Sequence, residues 1–235
     1  MARQVRSEAT RRKILDAAID VFGEVGYAAA GWNTIIERTG MTKGALYHHF
    51  DSKESLASAI IEEGSDTVLI AFRNVCGSSS PAFENMVHGT FTIANVLSSD
   101  KTARAAEQLV AALSGFNEAA ARFCADLVEM MADQARRSSA EGDLRQDLDP
   151  VMVSESLIGT MFGMRLLSNA KSAKGLAGDA VELTGRISQM WEFLLTGIVA
   201  EASLPYFRQF LAREALRHVR PAAASIGDTA AREVN

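Results

Sequence analysis

Apolar residues recur at helical spacing along almost the whole chain. Ile14, Ala18, Val21, Phe22 and Val25 stand at i, i+4, i+7, i+8 and i+11, one stripe of an amphipathic helix. Ser7 is a possible N-cap for it, and Gly26 sits where a left-handed C-terminal cap belongs. A short second helix is predicted over 33–38, followed by a tight break at Gly40-Met41-Thr42. Thr42 can cap a third helix over 43–50. Asp51, with Glu54 three residues on, has capping-box spacing for a long fourth helix over 53–75. The run Gly77-Ser78-Ser79-Ser80-Pro81 reads as a loop. Helices are then predicted over 82–97, 101–114, 117–140 and 150–171, the last with Asp149 as N-cap and Pro150 at its first position. The stretch from Gly175 to Gly178 breaks the pattern, and a helix over 179–201 follows. Pro205 opens a short amphipathic helix containing Tyr206, Phe207, Phe210, Leu211 and Leu216. From Pro221 the chain is small and polar, a frayed tail. No segment alternates as a strand does, and there is no internal repeat.

The pattern predicts an all-α fold with an N-terminal three-helix, helix-turn-helix head over 1–52. A larger helical body follows over 53–220, and a disordered tail over 221–235. Composition agrees. The 235 residues are 48% apolar, enough for a core, and only four are proline. No apolar run approaches the roughly 18 residues of a membrane span. The basic start leads into an amphipathic stretch rather than a signal-peptide block. The two cysteines, Cys76 and Cys124, make no disulfide framework. A protein of the reducing cytoplasm is expected.

Charge adds an asymmetry. The chain carries a net −5, yet residues 1–53 hold eight Lys/Arg against six Asp/Glu. Five of those cations (Arg3, Arg6, Arg11, Arg12 and Lys13) fall in the first thirteen residues. A mildly basic head on an acidic body is compatible with a nucleic-acid partner.

The head reads WNTIIERTGMTKGALYHHF over 32–50: short helix, glycine-containing turn, short helix. Ile35, Ile36, Ala45, Leu46 and Phe50 can pack against the first helix. Lys43, Gly44, Tyr47 and His48 then point away from that core, a face suited to phosphates and base edges. A metal site at His48-His49 is disfavoured. Adjacent helical residues diverge by about 100°, and no Cys or acidic partner stands at ligand spacing.

These residues carry a family resemblance. The stretches T-x-x-x-I-L-D-A-A-I-D-V-F-G-E-V-G-Y and M-T-K-G-A-L-Y-H-H-F-D-S-K-E-S-L, spanning 10–56, resemble the DNA-binding domain of the TetR family of transcriptional repressors. The opening MARQVRSEATRRKIL, the stretch from E-G-D-L-R-Q-D-L-D-P to M-F-G-M-R-L-L-S over 141–168, and Met190-Trp191 are similar to a narrower branch, the γ-butyrolactone autoregulator receptors of streptomycetes. The resemblance implies a homodimer that binds palindromic double-stranded operator DNA as a repressor and lets go when a small molecule enters the body. Control of secondary metabolism would follow. It implies that Thr42, Lys43, Gly44, Tyr47 and His48 lie on the recognition helix, and that Tyr47, His49 and Lys53 contact phosphates. Arg3 and Arg6 could reach along the DNA as an arm. The sequence departs from the family at the second helix, where Gly31 stands in place of a Ser or Thr cap.

In the body, apolar and polar groups of the middle helices are candidate ligand contacts: Met86, Thr90, Phe91, Gln108, Phe123, Leu127, Met130, Gln134, Thr160, Met161 and Met164. Methionines suit an adaptable apolar pocket. A buried Thr or Gln needs a partner. Thr160, between Gly159 and Gly163, can bond a ligand or its own helix carbonyl. The γ-butyrolactone branch resemblance implies a Trp in the seventh helix, but the chain's two tryptophans are Trp32 and Trp191. A butyrolactone, butenolide, furan or antibiotic-like inducer all stay open. For the dimer face, Leu157, Ile158, Met161, Leu166 and Leu167, with Ile187, Met190, Trp191, Leu194, Leu195 and Ile198, form apolar stripes on two helices.

No nucleophile–base pair is evident, and no cofactor or metal is expected. Asp143, Asp147 and Asp149 lack the glycine and terminal glutamate of a calcium loop. The competing readings are an all-α enzyme and a ligand carrier without DNA binding. The first needs carboxylates facing the cavity, and the basic head argues against the second.

Overall fold

The computed structural model describes residues 2–77, 81–172 and 181–218, and their regular structure is ten helices. The predicted Gly175–Gly178 break and the tail over 221–235 lie outside the described residues. Three helices make the head: α1 (Ala2–Ala29), α2 (Trp32–Thr39) and α3 (Lys43–His49). Ser7 does not cap α1. The helix begins upstream of it, and Thr10 Oγ1 donates back to the Arg6 carbonyl (2.9 Å). Gly26 breaks α1, but at φ 77°, ψ 159° rather than in the left-handed helical region. One more turn then closes, with the Ala30 amide on the Gly26 carbonyl (3.1 Å). Only glycine takes such a φ without strain.

Local chemistry fixes the turn that follows. Gly40 ends α2 at φ 64° with its N–H on the Glu37 carbonyl. Thr39 Oγ1 accepts from the Met41 amide (3.1 Å) and donates to the Ile36 carbonyl (2.7 Å). Thr42 caps α3 by accepting from the Ala45 amide (3.3 Å). Ile14, Ala18, Val21, Phe22, Ile35, Leu46 and Phe50 are all buried between the three helices. An Arg38–Glu24 fork, at 2.8 and 2.7 Å, clamps α2 to α1.

The fourth helix, α4 (Lys53–Cys76), belongs to head and body alike. Its cap is Ser52, one residue after the expected Asp51. Ser52 Oγ accepts from the Ser55 amide while Ser55 Oγ accepts from the Ser52 amide, a reciprocal box between two serines. Around α4 pack α5 (Ala82–Ser99), α6 (Lys101–Leu113) and α7 (Glu118–Glu141); α8 (Pro150–Ser172) packs on α7, α9 (Val181–Ile198) on α5 and α8, and α10 (Leu204–His218) on α9 and α5. Asp100, Asn117 and Asp149 each accept a backbone N–H at the start of α6, α7 and α8. The α7–α8 connector is pinned to the end of α9 by two backbone bonds. The Arg145 amide donates to the Ile198 carbonyl (2.9 Å), and the Ala200 amide donates to the Asp143 carbonyl (2.8 Å).

Two contacts matter for the body's mechanics. At Gly64, α4 and α6 touch backbone to backbone: a Cβ there would sit 2.5 Å from Ala106 Cβ and 2.6 Å from the Thr102 carbonyl oxygen. Trp191, fully buried, donates its indole N–H to Thr90 Oγ1 (2.9 Å) and packs edge-on against Phe83.

The expected dimer stripes split in two. Leu157, Ile158, Met161, Ile187, Met190, Trp191 and Leu195 are buried in the chain's own core, while Leu194 and Ile198 are half-buried. What faces outward is Leu166 (62% exposed), Leu167 (60%) and Phe193 (86%). A helix apolar over most of its circumference must first satisfy its own core, and only the remainder is left for a partner.

Candidate nucleic-acid interface and core cavity

The exposed face of α3 is built by packing beneath it. Leu46 and Phe50 are buried, so Lys43, Gly44, Tyr47 and His48 are turned outward and exposed, with His49 half-buried. Tyr47 is held upright. Its ring lies 5.5 Å from that of Trp32 on α2, and the Lys43 ammonium sits 5.7 Å above its centroid. Trp32 therefore positions Tyr47, a role the sequence reading missed, although Trp32 opens the helix packed beside α3. A Cβ at Gly44 would meet nothing within 4 Å, which leaves backbone open to close approach.

His49 is held below the usual histidine range, first by partial burial, then by His48 and Arg11. Arg11 itself lies over the Phe50 ring at 5.4 Å, and Arg6 is exposed on α1. Arg3 lies in the same helix, and its side chain falls outside the described residues. Lys53, which the resemblance sets at a phosphate, is held within the chain. Its ammonium donates to the carbonyls of Tyr27 (2.9 Å) and Ala30 (3.1 Å) and sits 4.5 Å over the Tyr27 ring. Those carbonyls belong to the α1–α2 junction, so Lys53 ties α4 to the head, and its ammonium is engaged.

Behind the head, six helices enclose a cavity. Gly64, Ser65 and Val68 come from α4, Ile93, Ala94 and Leu97 from α5, and Ala103, Ala106 and Glu107 from α6. Phe123 and Leu127 from α7, Ile158, Met161, Phe162, Met164 and Arg165 from α8, and Leu183 and Ile187 from α9 complete the wall. Its free space is about 20 Å³, room for roughly one water molecule. The wall is apolar except for three residues. Arg165 Nε and Nη2 donate to Glu107 Oε1 (2.9 Å) and Oε2 (2.8 Å), a fork between α8 and α6 in which Glu107 is buried and Arg165 partly so. The third, Ser65, has a buried hydroxyl with no hydrogen-bond partner.

Of the residues expected to meet a ligand, Phe123, Leu127, Met161 and Met164 come together on this wall. The others do not line it. Thr90 is occupied by Trp191, and Gln134 accepts from Asn85 Nδ2 (3.2 Å). Met86 and Phe91 are fully buried elsewhere in the core, Met130 is half-buried against it, and Gln108 is exposed. Thr160 faces outward into a groove with Met164, Arg186 and Phe193, and its hydroxyl donates to the Ser156 carbonyl (2.6 Å). The helix-carbonyl reading of that threonine is the one seen. Sequence reading passed over Ser65, Glu107 and Arg165. The signal was the register: Glu107 falls between Ala103 and Val110 on the apolar face of α6, and Ser65 between Ile61 and Val68 on that of α4.

A rigid two-helix turn presenting an exposed polar helix, joined through one long helix to a body around a cavity, defines a helix-turn-helix regulator. Comparison with known proteins agrees. The model of bacterial regulatory proteins of the TetR family matches residues 14–60, and that of the tetracyclin repressor-like C-terminal domain matches 80–200. The chain belongs to the TetR family of transcription regulators, which makes it a DNA-binding regulator rather than an enzyme. The A-factor receptor protein of Streptomyces griseus is 31% identical over 198 residues, covering 84% of this chain and 67% of that one. A γ-butyrolactone receptor described as ArpA-like superposes with a TM-score of 0.72 at 26% identity, over 90% of this chain and 99% of that one. CprB from Streptomyces coelicolor, solved in complex with its operator, gives 0.71 at 27% identity with the same coverage. No described helix is long and apolar enough to cross a membrane.

Proposed function

We propose that this chain is a cytoplasmic, dimeric repressor whose α3 faces read the two halves of a palindromic operator. A γ-butyrolactone- or butenolide-type signal entering the core cavity releases it, and the genes so controlled serve secondary metabolism. Thr42, Lys43, Gly44, Tyr47, His48 and His49 meet the DNA, with Arg3 and Arg6 reaching along it. Leu166, Leu167 and Phe193 face the partner. Phe123, Leu127, Met161 and Met164 meet the apolar part of the signal. The observation that carries the reading is that one rigid helix, α4, is both the floor of the head and a wall of the cavity.

The coupling follows from that geometry. A cavity with room for one water admits a larger molecule only by repacking, which flexible Met161 and Met164 allow. The helices that must give way are α4 and α6, and α1 is tied to both. Arg12 bridges to Glu63 of α4 and to Thr102 Oγ1 of α6 (3.4 Å), and Lys101 of α6 pairs with Asp20 of α1 (2.6 Å). Expansion of the cavity therefore moves the head. A signal that fits only the expanded form weakens operator binding by its preference for that form.

The test is a fluorescence-anisotropy titration on labelled palindromic DNA taken from upstream of the gene, with and without α-octanoyl-γ-butyrolactone. Operator affinity is expected to fall steeply with salt and to drop when the lactone is added. Tyr47→Ala is expected to abolish operator binding while thermal melting and lactone affinity stay as in the wild type. Unchanged operator affinity in protein saturated with the lactone would rule out the coupling.

A further inference from the structure

Ser65 is 5% exposed and lines the core cavity, and its hydroxyl has no hydrogen-bond partner. A serine inside a helix ordinarily bonds back to the carbonyl one turn earlier. Thr67, on the same helix, does so to Glu63 (3.2 Å), and Thr160 does so to Ser156 (2.6 Å). Ser65 does not, and a buried hydroxyl left in that condition carries an uncompensated desolvation cost. The two charged groups of the wall have no such need. Arg165 and Glu107 satisfy each other through a two-pronged fork, so the pair presents no net charge to the cavity. An acidic molecule could take the Nε–Nη2 edge of Arg165 only by displacing Glu107 and stranding a buried carboxylate. A carbonyl oxygen could accept from Ser65 and displace nothing.

We propose that Ser65 is the hydrogen-bond donor to a neutral carbonyl oxygen on an otherwise apolar ligand, and that the closed Glu107–Arg165 fork rejects acidic molecules of the same length. The proposal rests on the reading of the cavity as the signal-binding site and names its polar anchor. It also gives the anchor a mechanical address. Ser65 adjoins Gly64, where α4 and α6 touch, so a molecule held by that hydroxyl sits at the contact through which the head is moved.

Isothermal titration of the full chain with three probes tests it. α-Octanoyl-γ-butyrolactone carries carbonyls, octyltetrahydrofuran has a similar shape without one, and decanoate is acidic. The wild type is expected to bind the lactone at least about tenfold better than the other two. Ser65→Ala should lose about tenfold for the lactone, leave octyltetrahydrofuran unchanged, and bind operator DNA as the wild type does. Glu107→Gln should gain affinity for decanoate, a change that mere loosening of the fold would not produce for one probe alone. If the wild type discriminates but Ser65→Ala does so equally, Ser65 is not the anchor, while the cavity stands as the site. If the wild type prefers decanoate, the fork is not a filter and the proposal falls. If the wild type binds operator but none of the three probes, the proposal and the reading beneath it fall together.

Discussion

At the scale of single residues, the head works by committing some polar groups and leaving others available. Lys53 has its ammonium spent on the Tyr27 and Ala30 carbonyls. Lys43, Tyr47 and His48 stand outward on α3. His49 is intermediate: partial burial and nearby positive groups keep its ring uncharged to lower pH than an ordinary histidine. A phosphate placed beside it would favour the cation, so binding DNA would take up a proton. Operator affinity is therefore expected to rise as the pH falls from about 8 to about 6, since histidine is the side chain that changes charge there. His49→Gln should flatten that rise. Anisotropy titrations at matched ionic strength would show it, and an identical slope in the variant would assign the proton elsewhere.

At the scale of elements, α4 and α6 cross in backbone contact at Gly64. Gly64→Ala puts a methyl group 2.5 Å from Ala106 Cβ and forces the two helices apart. Such overpacking typically costs about 1–3 kcal/mol, so the variant should melt earlier and, by spreading the same joint a ligand would spread, bind operator more weakly. Thermal melting and anisotropy read the two effects separately. The contrast between Gly64 and Thr42 shows what a sequence exposes. Thr42, Gly40 and Asp149 act on amides within a few residues, so their caps and turns are legible in order along the chain. Ser52 in place of Asp51 is a slip of one position within the same local rule. Gly64, Ser65 and the Glu107–Arg165 fork depend on which helices cross and at what depth. The register sets Ser65 and Glu107 on apolar helix faces, but nothing near them in the chain says which helices meet there. Thr90 and Thr160 are both polar groups on apolar helices and both donate to their own helix, but only Thr90 also accepts from a distant partner, Trp191.

At the scale of the whole molecule, the outward apolar residues of α8 and α9 are a surface with no role inside one chain. Phe193, at 86% exposed, is the most prominent. In the proposed dimer, Phe193→Glu would set like charges against each other across the two-fold axis. It is expected to shift the protein toward monomer by light scattering while leaving the head folded. Operator affinity should then fall, because each half-site would be held by one head only. A variant that stays dimeric would move the interface elsewhere on the body.

The chain's two indoles lie in different territories, Trp32 half-buried against Tyr47 of α3 and Trp191 sealed at the centre of the body. The protein thus carries a pair of built-in optical reporters. With Trp191→Phe the emission belongs to the head, and with Trp32→Phe to the interior of the body. Stopped-flow records from the two variants would time how quickly a disturbance at one end arrives at the other, with no dye attached.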